Sequence, residues 1–210
     1  MTNTTSNLIV LLIPLAILIG YKFHSYRNYR FQNRGEELLR QSITRHLNTA
    51  SWHLLNNITL KIDNGTTQID HILVSRHGVF VIETKHYTGW IFGDMNSKLW
   101  TQVIYGTKHR FQNPLHQNYK HLKAVQNLLD FMPPEQITGM VVFTGDAEFK
   151  TNKPTGVYST ESLINYLKGL NEEILTENRM QFCVGRLECT RLALTKETDV
   201  EHQTHLQNKY

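Results

Sequence analysis

Three charged residues stand inside one strongly apolar run, and their types are those that hold a hard cation and steer a water. The stretch TQIDHILVSRHGVFVIETKHYTG, residues 67–89, carries Asp70, Glu83 and Lys85 among isoleucines and valines. A charge in a buried strand costs several kcal/mol unless it is paired or ligates a metal. VSRHGV reads as a turn between two strands, with Gly78 free to take a positive φ. If Arg76 and His77 form the tip, Ser75 pairs with Gly78, Val74 with Val79, Ile72 with Val81, and Asp70 with Glu83. Directly opposed residues have Cβ atoms about 5 Å apart, so the two carboxylates repel. Glu83 and Lys85, two apart, share a face.

A divalent cation would relieve that repulsion. Magnesium, with manganese as a substitute, takes oxygen ligands and keeps several waters, often with only one or two protein carboxylates. Lys85 could then orient or deprotonate a water, or stabilise phosphate charge. The chemistry implied is metal-assisted phosphodiester hydrolysis. The plainer reading is a solvated Asp–Glu–Lys ion network on an antiparallel sheet, and the pattern alone leaves both open.

The elements around this hairpin read as a mixed α/β layer fold. GEELLRQSITRHL has helical spacing at Leu38, Leu39, Ile43 and Leu47. WHLLNNITLKI is a strand, DNGTT a turn, and two strands fill 68–74 and 79–85. GWIFGD and KLWTQVIY form a further hairpin. A helix follows Pro114 with Asn113 available as its cap, striped by Leu115, Leu122, Val125, Leu128 and Leu129, and is stopped by Pro133 and Pro134. ITGMVVFTG is a buried strand, and the remainder from Glu161 is helical. His71 and His86 fall on the opposite strand face from the acids, while His116 and His121 read as surface residues.

Composition sets wider bounds. At 210 residues, 40% hydrophobic and 19% charged, the chain can pack a core and is not globally disordered. A net charge of +4 permits a nucleic-acid or acidic-membrane partner without demanding one. The two cysteines, Cys183 and Cys189, fit neither a redox pair nor a zinc site and read as reduced thiols. Residues 2–21 carry no charge, and NLIVLLIPLAILIGY is nearly continuous hydrocarbon. With its polar lead it reaches the roughly 20 residues of a span. Lys22, Arg27, Arg30 and Arg34 follow it, so the positive-inside rule places the bulk of the chain in the cytoplasm. The expected organisation is an N-terminal transmembrane helix and basic connector over 1–33, anchored through 7–21 in an inner or cytoplasmic membrane. A globular core over 34–131, its completing strand and helices over 132–196 and a polar tail over 197–210 follow.

RGEELLRQSI, TQIDHILVSRHGVFVIETKHYTGWIFGD, LW and NPLHQNYKHLKAV resemble, in order, the NERD (nuclease-related) domain, a branch of the PD-(D/E)xK nuclease-like superfamily. The likeness runs from about Arg34 to Leu129. It implies a restriction-endonuclease-like core, a mixed central sheet flanked by helices with the acidic site on the central hairpin. By position Asp70 and Glu83 match the metal-binding acids, Lys85 the catalytic lysine, and Glu36 the acid given by the first helix, with Glu37 its neighbour. Gln117 matches a polar residue near the substrate phosphate. The implied function is Mg²⁺-dependent hydrolysis of DNA, with Arg76, Lys108, Arg110, Lys120 and Lys123 as candidate phosphate contacts. Relatives of this class often act as homodimers. Many carry a further domain, so a separate recruiting protein is a candidate partner. The alternative is a non-catalytic module that binds nucleic acid or protein on the same fold.

Overall fold

The computed structural model describes residues 34–63 and 65–193. The expected span at 7–21, the connector to residue 33 and the tail at 197–210 lie outside them. Among the described residues no helix is long and apolar enough to cross a membrane. What is described is one compact unit with a mixed α/β fold.

Helix α1 covers residues 34–46. Leu39 and Ile43, with Leu47 just past the helix end, form an i, i+4, i+8 line buried against the sheet that follows. Leu38, counted in the expected stripe, lies on the outer side and is exposed. Strands β1 (Trp52–Ile62), β2 (Gly65–Ser75) and β3 (Gly78–Lys85) form an antiparallel meander. Strand β2 begins three residues before the expected start at Gln68. The hairpin register is the counted one: Ser75 pairs with Gly78, Val74 with Val79, Ile72 with Val81. Gly78 has a φ of 131°, and a Cβ there would press on the Gln136 carbonyl, so the turn requires glycine.

The chain then leaves this sheet for a second one. Strands β4 (Gly89–Phe92) and β5 (Leu99–Ile104) pair antiparallel, as the aromatic alternation predicts. A third strand, β6 (Thr107–Gln112), returns through Tyr105 and Gly106, both at positive φ, the geometry of a type I′ hairpin turn. It is almost wholly exposed and polar, so hydrophobic alternation could not signal it. Helix α2 (Pro114–Leu128) is capped by Asn113, whose side chain accepts the Leu115 N–H, as the Asn-Pro pair suggests.

A 3-10 turn at Pro134–Gln136 leads into β7 (Ile137–Phe143), which lies parallel to β3. The short β8 (Ala147–Phe149) joins the second sheet beside β4, and β9 (Val157–Ser159) edges the first beside β7. The orders are β1-β2-β3-β7-β9 and β6-β5-β4-β8. Helices α3 (Thr160–Lys168) and α4 (Glu177–Thr190) complete the unit. The first sheet is sandwiched: α2 and α4 cover one face through Val125, Met180 and Leu187, α1 and α3 the other through Leu39, Leu163 and Leu167. Strand β3 thus sits mid-sheet with helices on both sides. That is where a charge is most expensive.

Candidate functional site

The charged end of the hairpin lies where the β2–β3 ladder stops. Its last pair is His71 with Ile82, and the next pair in register would be Asp70 with Glu83. Five residues of β3 separate this end from Gly78 at the tip, roughly 17 Å. Asp70 also drops out of the ladder with β1, opposite Asn57, which holds a left-handed φ of 53°. Side-chain facing slips at the same place. Ile72 and Val74 pack in the cluster under α2, and so do Ile69 and the neighbouring Thr67, which contacts α2 through His121. Strict alternation would send Ile69 to the other face. Such irregularities re-aim a side chain next to a site. Here Asp70 Oδ2 accepts the backbone N–H of Thr84 at 2.7 Å.

Glu83 and Lys85 share the α2 face. Lys85 Nζ donates to Glu83 Oε1 at 2.6 Å and to Gln117 Oε1 at 3.1 Å. Glu83 is buried almost completely and Lys85 partly. Gln117 reaches them from the second turn of α2, one turn past the Asn113 cap. Glu36 enters from the other direction, at the N-terminus of α1. Its approach depends on Gly35, where a Cβ would overlap His86 Cβ and crowd Thr144 Oγ1. Glu37 points elsewhere and is paired with Arg40 at 2.7 Å, so Glu36 rather than Glu37 is the acid facing the hairpin.

The electrostatics are those of crowded carboxylates around one ammonium. Burial, then the charges of Glu83 and Glu36, pushes the Asp70 carboxyl well above its usual range. Burial and Glu83 raise Glu36 as well, with Lys85 opposing. Glu83 goes the other way: burial works against its charge, but Lys85 and His121 hold it below the ordinary value. Lys85 is desolvated, yet Glu83 and Asp70 keep its pKa raised, so it remains an ammonium.

His121 is the residue that apolar counting missed. It lies buried beneath α2, not on the surface, with Nδ1 2.7 Å from Thr67 Oγ1 and Nε2 3.2 Å from Glu83 Oε2. The second contact is within reach of the carboxylate but off the line of a hydrogen bond. The buried line of α2 runs Pro114, Asn118, His121, Val125, which carries two polar side chains inward. Asn118 donates to the carbonyls of Val81 and Met140 and pins the helix across β3 and β7. A helical wheel with Asn118 and His121 beside Ala124 and Val125 would have been the signal. His71 and His86 are buried on the α1 side, His71 bonded to Asn56 and His86 to Thr144. His116 lies near the surface against the Met95 carbonyl.

The basic residues divide. Arg76 is at the hairpin tip, the far end from the acids, bound to Glu173 at 2.8 Å and to the Leu175 carbonyl. It is not placed to touch a phosphate at the acidic end, because the tip is docked on the segment before α4. Lys108 and Arg110 stand exposed on β6, Lys120 and Lys123 on the outer side of α2.

The residues that could hold a hard cation are Asp70 and Glu83, with Glu36 electrostatically beside them. Glu83 Oε2 is buried without a hydrogen bond, and Asp70 and Glu36 are carboxyls whose charge burial opposes. Among the described residues no three acidic, imidazole or thiol side chains are grouped so as to hold a metal ion. One or two carboxylates plus waters is the usual magnesium arrangement.

The sequence has counterparts among known proteins. The family described as "Nuclease-related domain" (NERD) matches residues 31–144, more than half of the chain and from α1 through β7. An uncharacterized protein of Bacillus anthracis is 33% identical over 211 residues, covering 97% of this chain and 94% of its own.

Proposed function

The chain belongs to the nuclease-related domain family, and from that premise we propose that it hydrolyses phosphodiester bonds in nucleic acid, DNA foremost, with a divalent cation. The observation that carries the reading is the convergence of Asp70, Glu83, Lys85 and Gln117 at the broken end of one hairpin, with Glu36 electrostatically joined to them. A restriction-endonuclease-like core is the finer fold reading, since the mixed sheet carries its acids on a central hairpin between helices.

In hydrolysis, water adds to phosphorus and the ester P–O bond breaks, giving a phosphomonoester and an alcohol. Asp70 and Glu83, with Glu36 beside them, would hold magnesium, which would supply positive charge beside the phosphoryl oxygens and make water more acidic. Lys85 is charged in this environment, so it acts as a donor that orients water or neutralises the developing phosphorane charge, not as the base. Gln117 holds the Lys85 ammonium in place from α2. His121, braced by Thr67, keeps Glu83 ionised and aimed. The apolar run through 7–21 would hold this domain at the cytoplasmic side of a membrane.

One observation favours a non-catalytic binding module instead: Lys85 is already bonded to Glu83 and Gln117, and Asp70 to the Thr84 N–H. Cleavage of plasmid DNA in Mg²⁺ or Mn²⁺ decides between them. Wild-type protein is expected to cut, and Asp70→Ala/Glu83→Ala to fall at least a hundredfold. Wild-type inactivity in both metals, on DNA and on RNA, overturns the enzyme reading.

A further inference from the structure

The second sheet presents an outer face that the acidic site does not use. Trp90 is 50% exposed and Phe92 38%, two residues apart on β4 and therefore on one side. Between them Ile91 turns inward and is fully buried with Trp100. The register puts a cation in each ring's cross-strand row. Trp90 pairs with Val103, which pairs with Lys108; Phe92 pairs with Thr101, which pairs with Arg110. Each cation therefore stands two strands, about 10 Å, from its ring, and the two rows are about 7 Å apart. On the other side of β4, Trp90 pairs with Glu148, whose carboxylate is held by Lys150. The Lys150 ammonium sits 4.8 Å from the centre of the Trp90 ring.

We propose that this face binds single-stranded nucleic acid, with bases stacked on Trp90 and Phe92 and phosphates tracked by Lys108, Arg110 and Lys150. The proposal rests on the reading of the acidic site as a nuclease and names its substrate class. Exposed rings cost hydration, and a flat sheet offers them as stacking surfaces that every base can use. Lys150 and Glu148 pair with each other, which leaves Lys108 and Arg110 uncompensated among these residues, so the face carries a net positive charge complementary to a polyanion. Spaced rings and cations in register suit a repeating base-and-phosphate chain. In a duplex the bases are stacked on each other and cannot reach the rings.

The platform is joined to the acidic site through both ends of its meander. Gly89, which opens β4, is four residues from Lys85; Gln112, which closes β6, is five residues from Gln117. The Lys85–Gln117 hydrogen bond ties those two connections together. These connections fix the second sheet beside the acidic end of the hairpin.

Fluorescence anisotropy of the full-length chain with a labelled oligothymidine, in EDTA so that no cleavage occurs, tests this. The expected result is tighter binding of the single strand than of a duplex of equal length, with quenching of Trp90 emission. Trp90→Ala/Phe92→Ala should weaken single-strand binding at least tenfold. Lys108→Gln/Arg110→Gln, which leaves the rings intact, should reduce the slope of log affinity against log salt by about 1 to 2. Equal binding by wild type and the ring variant overturns the proposal, as does preference for duplex. Ring-dependent binding to phosphatidylglycerol vesicles with none to the oligonucleotide assigns the face to a membrane and overturns it too. Because binding is read without metal, a protein that binds but never cuts would sink the nuclease reading and leave this one standing.

Discussion

The two ends of the β2–β3 hairpin carry similar side chains and handle them in opposite ways. At the tip, Arg76 pairs with Glu173, both partners nearly half exposed, while its own carbonyl accepts from Ile174 and Leu175. The ladder there is regular to its last pair. At the other end Asp70 falls out of both neighbouring ladders, side-chain facing slips, Glu83 is buried and Lys85 is largely covered. An exposed ion pair contributes about 0–1 kcal/mol. A buried, crowded set with an unbonded carboxylate oxygen is a cost the fold keeps. The tip uses charge to dock a loop; the open end keeps charge buried at a cost.

That contrast can be broken by substitution, beginning with the largest effect. Lys85→Met removes the one ammonium from among Glu83, Asp70 and Glu36, and should destabilise the metal-free protein by about 3–5 kcal/mol in urea unfolding. Arg76→Met should cost under about 1 kcal/mol in the same assay. Equal losses would erase the difference between the ends.

Next comes Gly35→Ala. The added methyl meets His86 Cβ, forcing the start of α1 off the end of β3. A loss of about 1–3 kcal/mol is expected, with weaker cation binding because Glu36 withdraws. Unchanged stability and binding would show that Glu36 is not held by this contact.

A smaller effect concerns protons on the α1 side of the same end. Burial lowers His71 from 6.5 to about 4, so the folded protein keeps it neutral. Its contribution is complete above pH 6.5, where the unfolded chain is also neutral. It is lost as pH falls toward 4, because the unfolded state takes the proton first. Asp70 and Glu36, raised in the folded state, act with the opposite sign, so the test is a difference. From pH 7 to 5 the wild type should lose about 2 kcal/mol more than His71→Gln. Parallel pH profiles would contradict a neutral buried imidazole.

The smallest readout is chemical. Burial pushes the Cys183 thiol up to about 11, while Cys189 is exposed. A thiol reagent at pH 8 should label one cysteine in the native protein and two after unfolding. Two fast native labels would contradict the packing of α4.

How much of this was legible beforehand follows from which signals are local. The hairpin register was, because two apolar runs around Ser-Arg-His-Gly leave one sensible count and Gly78 supplies the turn. Helix α2 began where Asn-Pro says a helix begins. Strand β6 was invisible because it buries almost nothing, and β8 and β9 are three-residue strands made by their neighbours. The likeness to nuclease-related domains named the acids but not the slip at Asp70, which no alternation rule foresees. Arg76 was misassigned because a tip looks close to a site in sequence while standing a strand's length away. His121 was missed because a stripe counted only in leucines and valines passes over a buried imidazole.

Calorimetric titration of Mn²⁺ into the full-length chain tests the central claim most directly. Wild type and Arg76→Met should bind the ion at the hairpin with the same affinity, whereas Glu83→Gln and Asp70→Asn should lose at least tenfold. If the acidic-end variants titrate like wild type, or if wild type takes up no ion, the open end of the hairpin is not a cation site and the account fails.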